Sequence, residues 1–197
     1  MPSSSSPRRT RRSRRVLPRA FYARPAEALA RDLLGKYLVR RHAAGRIVEV
    51  EAYVGPEDLA CHAAKGLTPR TRVMFGPPGH AYVFLVYGMH HCFNVVCERP
   101  GFPAAVLVRA LEPAEGVELP TDGPGKLSKA LGITLADNTL DLLGDTVWIE
   151  DRGGPAAEVA VTPRIGVDYA GEWAAAPLRF VDRKSPWLSK RLAPRSR

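Results

Sequence analysis

Arg46-Ile47-Val48-Glu49-Val50-Glu51-Ala52-Tyr53 (RIVEVEAY) alternates apolar and polar side chains over eight residues, the period of a half-buried β-strand. Val48, Val50 and Ala52 share one face; Ile47, Glu49, Glu51 and Tyr53 share the other. Spacing alone favours a solvated sheet face for the two glutamates, because exposed sheet faces are mostly polar. The second reading is a pocket. Residues 54–80 follow directly, are rich in Gly, Pro, Thr and charge, and carry His62; a loop of that length is usually functional.

Working outward, Lys36–Arg41 pairs with this strand around His42–Gly45, as a hairpin pattern requires. Before it, Pro25 occupies a first helical position, and Ala28, Leu29, Leu33 and Leu34 repeat at helical spacing up to Gly35. After the loop, His80–Tyr87 and His91–Cys97 flank Gly88 as a hairpin. Ala104–Glu112 is a further strand with Arg109 near its end, and Gly125–Leu131 a short helix. Thr146–Asp151, Glu158–Ile165 and Pro177–Val181 complete the strands. Strands and helices do not alternate, which excludes a doubly wound parallel sheet. Gly76-Pro77-Pro78-Gly79 is a turn and not a phosphate cradle, since proline offers no amide donor. The reading is one α+β domain.

Of 197 residues, 45% are apolar and 25% charged, a globular balance. The apolar run Ala81–Tyr87 falls far short of the about twenty residues that span a bilayer, so no membrane association is expected. Three cysteines do not form a secreted disulfide framework, and a reducing, cytoplasmic setting is expected. The net charge is +9, from 29 Lys and Arg against 20 Asp and Glu. Six of those bases are arginines within residues 1–18, which hold no acid; without them the body is close to neutral. Residues 1–18 are read as a disordered basic tail, and residues 19–197 as the folded domain. The tail is either a solvated extension or an arm for nucleic-acid phosphates.

Cys61-His62, His91-Cys92 and Cys97 do not read as a metal site, because neighbours on a strand point to opposite faces and no C-x-x-C is present. Tyr87-Gly88-Met89-His90 sets large side chains at a hairpin tip. Such a tip folds back on the body or serves as a wedge between stacked bases.

RIVEVEAYVGPEDLACHA, TPRTRVMFGPPGHAYVFLVYGMHHCFNVV, VLVRALEP, GPGKLSKALGI, RIGVDYAGEWAAAPLRF and SPWLS together resemble the alkyladenine (3-methyladenine, N-methylpurine) DNA glycosylases from about Phe21 to Ser189. The resemblance implies a single compact domain built on a curved, largely antiparallel, open barrel-like sheet with a few surface helices. It implies a monofunctional repair enzyme that flips damaged purines out of duplex DNA and hydrolyses the N-glycosidic bond, as a monomer without metal or cofactor. By position, Glu51 matches the general base and Arg109 an arginine that fixes the water and the flipped nucleotide. Tyr53, His62 and Phe84 match the pocket walls, and Asn94 the residue that crowds the guanine amino group. Tyr87 matches the intercalating tyrosine, with Met89 and His90 beside it at the groove; Arg70 and Arg72 are expected on the DNA backbone. Phe84 stands where many members carry tyrosine, and His90 where a larger aromatic is common. Glu115–Gly123 is shorter than in larger members. The competing readings are a non-catalytic nucleic-acid-binding module of the same fold and a hydrolase of free nucleosides.

Overall fold

The computed structural model describes residues 15–193. Two short helices, α1 (Arg19–Tyr22) and α2 (Ala26–Leu33), precede the hairpin of β1 (Tyr37–Arg40) and β2 (Ala43–Tyr53). Then come β3 (Ala81–Val86), β4 (His90–Val96), β5 (Ala105–Pro113) and α3 (Pro124–Leu131). The strands β6 (Val147–Glu150), β7 (Val159–Thr162) and β8 (Arg179–Asp182) close the chain. The strands form one curled antiparallel sheet in the order β3-β4-β5-β2-β1-β6, with β8 joining β2 and β7 joining β8. This is the α+β half-barrel expected from the sequence.

The strand β2 is the axis of the sheet. It pairs with β5 along one edge and with β1 and then β8 along the other. Val50 and Ala52 (β2), Val83 (β3), Phe93 and Val95 (β4) and Val106 and Val108 (β5) point into the main core, which Leu29 and Leu33 of α2 and Leu127 and Leu131 of α3 cover. Each fully buried leucine there contributes about 1.5–3 kcal/mol. The alternate residues Glu51, Tyr53, Tyr82, Phe84, Asn94, Leu107 and Arg109 take the other face.

The expected alternation of RIVEVEAY breaks at one place. Between Ile47 and Val50, β2 and β5 slip register twice: Ile47 opposes Leu111, Glu49 opposes Ala110, and Val50 opposes Val108. Val48 on one strand and Arg109 on the other are thus bulge residues, and a bulge re-aims side chains. Ile47 packs in the main core, whereas Val48 joins Ala110 and Val181 on the far face beside Glu49. Glu49 and Glu51 are both fully buried. The solvated-face reading is therefore corrected: the face carrying both glutamates is covered by other parts of the chain.

Other boundaries shift by a few residues. The buried stripe of α2 is Ala26, Leu29, Ala30 and Leu33, with Ala28 exposed and Pro25 as the cap. Arg109 lies mid-strand. The 54–80 loop holds two single 3₁₀ turns, His62–Lys65 and Arg72–Phe75. The expected tail also ends earlier than residue 18. Val16 bridges to Glu150, Leu17 is buried, and its N–H donates to Ile149 O at 2.9 Å. Residues 1–14 lie outside the described residues. Among the described residues, no helix is long and apolar enough to cross a membrane.

Candidate active site

A cleft of about 930 Å³ opens on the sheet face opposite the main core. Its aromatic wall follows from period two on β3, where Tyr82 and Phe84 project together. The His62 ring meets Phe84 edge-on at 4.5 Å between centroids, and Tyr82 and Phe84 lie 5.2 Å apart. The Tyr82 hydroxyl bonds His62 Nδ1 at 2.8 Å, which ties the 3₁₀ turn to the sheet. Arg70 sits over the outer face of Phe84, 5.0 Å from its centroid. Asn94 is fixed by donating to Tyr82 O at 3.0 Å.

The floor is ionic. Tyr53, Leu107, Arg109 and Ile165 line the cleft, with Glu51 beneath them. Glu51 Oε2 accepts from the Tyr53 hydroxyl at 3.1 Å and from Arg109 Nη1 at 3.2 Å; Oε1 accepts the Ile165 N–H at 2.8 Å. Each carboxylate oxygen has two lone-pair sites, so Oε1 retains capacity for a further donor. Glu49, the second carboxylate, accepts from Arg109 Nε at 3.1 Å and from Arg179 Nε at 2.8 Å. Arg109 therefore bridges both acids with two edges of one guanidinium.

Burial sets the electrostatics. Desolvation pushes the Glu51 carboxyl above its usual range against the lowering pull of Arg109, the Ile165 N–H and the Tyr53 hydroxyl. Arg109 is held charged by the two acids despite its own burial. Desolvation, with Arg70 and Lys65 nearby, lowers His62 to about 4, so the imidazole facing the cleft is neutral at physiological pH. Burial pushes the Cys61 and Cys92 thiols up to about 11, which leaves them as packing groups. Among the described residues, no cluster of three or more His, Cys, Asp or Glu is arranged to hold a metal ion.

At the mouth, Val86-Tyr87-Gly88-Met89 turns between β3 and β4. Met89 N–H donates to Val86 O at 3.1 Å, and Tyr87 and Gly88 have φ of 52° and 68°. Two consecutive positive φ values are those of a type I′ hairpin turn. Glycine adopts this freely; tyrosine does so at a cost. Tyr87 is nonetheless 88% exposed and Met89 70%. On the other rim, Gly125 lets the start of α3 close on β4, where a Cβ would stand 3.0 Å from that of His90.

A model of the methylpurine-DNA glycosylase family matches residues 20–186. The chain belongs to the methylpurine-DNA glycosylase family. It is 59% identical over 182 residues to a protein of Myxococcus xanthus, covering 88% of this chain and 93% of that one. A Methanocella arvoryzae protein is 54% identical, with 89% and 96% covered; one from Legionella pneumophila is 53% identical, with 89% and 99% covered. All three are provisionally named 3-methyladenine DNA glycosylase.

Of the residues singled out in the sequence, Tyr53, His62, Arg70, Phe84, Tyr87, His90, Asn94 and Arg109 line this one cleft, with Glu51 bonded to two of them. Met89 is on the exposed tip beside it. Arg72 is exposed and does not line the cleft. Sequence reasoning missed Tyr82 and Ile165, and also Arg164, which grips the buried Asp58 at 2.5 and 2.7 Å and lies 4.8 Å from the Tyr53 ring centroid. For Tyr82, the period-two spacing to Phe84 was the available signal; for Ile165, a backbone donor, there was none.

Proposed function

We propose that the chain is a monofunctional DNA repair glycosylase that flips alkylated or deaminated purines from duplex DNA and hydrolyses their N-glycosidic bond. Its substrates are 3-methyladenine, 7-methylguanine, hypoxanthine and ethenoadenine. The observation that carries this reading is Glu51, a buried carboxylate aimed by three donors beneath an aromatic cleft. In the proposed reaction, Glu51 takes a proton from a water. The water oxygen bonds C1′ as the C1′–N bond breaks, and the base leaves with the bonding electrons. The developing sugar cation is stabilised by the carboxylate.

The walls suit the leaving group. N3- or N7-alkylated purines are cationic, and electron-rich rings favour a cation; a neutral His62 adds no repulsion. Asn94 on the cleft wall crowds the guanine amino group. Damaged bases are also extruded more easily because they pair weakly. Tyr87, with Met89 and His90, fills the space left in the duplex, and Arg70 holds a phosphate. The proposed nucleophile is a water activated by Glu51 and not an amine, so Schiff-base chemistry and strand nicking are not expected. The enzyme acts as a monomer where the chromosome lies.

The test uses four duplexes, each with one of the four lesions, resolved with and without heat and alkali. Strand breaks only after heat and alkali are expected. Breaks without that treatment overturn the monofunctional assignment, and intact strands on all four lesions overturn the glycosylase.

A further inference from the structure

The stretch Ser185–Ser189 (SPWLS) has no role in the chemistry above. After β8 the chain returns as a strap across the back of the site. Leu188 anchors it by packing with Val48, Ala110 and Val181; Val48 is one of the bulge residues and Ala110 adjoins the other. Ser189 then reaches Glu49. Its N–H donates to Oε2 at 2.6 Å and its hydroxyl to Oε1 at 2.7 Å. The same hydroxyl accepts from Arg109 Nε at 3.3 Å and Nη2 at 3.4 Å. Arg179, which also donates to Glu49, ties the strap down through Lys190 O at 2.6 Å.

We infer that Glu49 and Ser189 are positioning residues for the glycosylase reaction, an inference that rests on the function proposed above. They hold the Nε edge and Nη2 of Arg109, so that Nη1 is fixed on Glu51. Three features carry this. Arg109 is a long side chain, and contacts on its rear edges restrict its rotation. Those contacts come from Glu49 and Ser189. The sheet interrupts its ladder on both strands at this point, at Val48 and Arg109, which places Glu49 and Arg109 face to face at the expense of regular pairing. A buried carboxylate with two arginines is also rarely the most stabilising filling of such a space; its return is geometric, since misplacement of a reacting group by about 1 Å costs on the order of 100-fold in rate.

Single-turnover excision separates positioning from packing. Ser189→Ala keeps the N–H contact and removes the hydroxyl; the saturating rate should fall about tenfold, as for loss of a hydrogen bond to a charged group. The enzyme concentration giving half the maximal rate should not change. Ser189→Thr should restore the rate. In an Arg109→Lys background, which lacks the rear edge, Ser189→Ala should add almost nothing, as coupled residues do. Glu49→Gln should slow the saturating rate more than Ser189→Ala. Equal rates for wild type and Ser189→Ala overturn the strap alone, as does an equal slowing in both backgrounds. A wild type that excises no lesion overturns the glycosylase reading and this inference with it.

Discussion

The floor of the cleft and the tip of the β3–β4 hairpin depart from ordinary protein anatomy in opposite directions. The floor buries two carboxylates and two arginines where apolar side chains would be more stable. The tip exposes a tyrosine and a methionine where polar residues would be better solvated, and holds the tyrosine in a left-handed conformation. The ionic groups of the floor are hydrogen-bonded to one another and set by bulges; the tip has almost nothing to lean on. Under the proposed function, chemistry needs the first arrangement and insertion into a stack the second. The departures mark the site more sharply than the aromatic wall, whose rings are also good core residues.

The largest effect is expected at the floor. Arg109→Met leaves Glu51 without its cation and should cost about 3–5 kcal/mol of folding stability, as breaking a buried pair does. Urea unfolding measures this, and excision should vanish in the variant that remains folded. At the tip the two properties should part. Tyr87→Asn should weaken binding to damaged duplex by roughly 1–3 kcal/mol, the worth of one stacked base. Since asparagine tolerates the left-handed region, stability should stay level or rise by up to about 1 kcal/mol. Weaker binding together with weaker folding would remove the contrast.

The pH dependence sharpens the floor. A carboxyl raised by burial is protonated in the folded protein at pH values where a free one is ionised. A general base must be ionised, so the saturating excision rate should rise with pH through a midpoint above the ordinary carboxylate value of 4.5. His62, lowered to about 4, should contribute no titration between pH 5 and 8. The smallest effect concerns residues 1–14. Deleting them should reduce the salt slope of duplex binding by about 0.9 for each phosphate they neutralise.

Much of this was legible in the chain. Strand periodicity pointed to the sheet, and the motif string to the residues of the cleft. The burial of Glu49 and Glu51 was not legible, because alternation reports two faces and cannot say that a later segment covers the polar one. The bulges were equally hidden: Val48 and Arg109 obey the pattern, and only pairing with the opposite strand shows the slip. Ile165 contributes through its backbone, which no side-chain pattern records. Val16 and Leu17 sit at the end of an arginine-rich stretch whose composition outweighs two apolar residues.

The central claim is that Glu51 acts in the chemistry and not in binding. Single-turnover excision and duplex binding should be measured side by side for wild type and Glu51→Gln on one lesion duplex. The expected result is a rate lower by about 100- to 10,000-fold, the range for removal of a general base, with the dissociation constant for the lesion duplex unchanged. Excision by Glu51→Gln within a few-fold of wild type would contradict that claim.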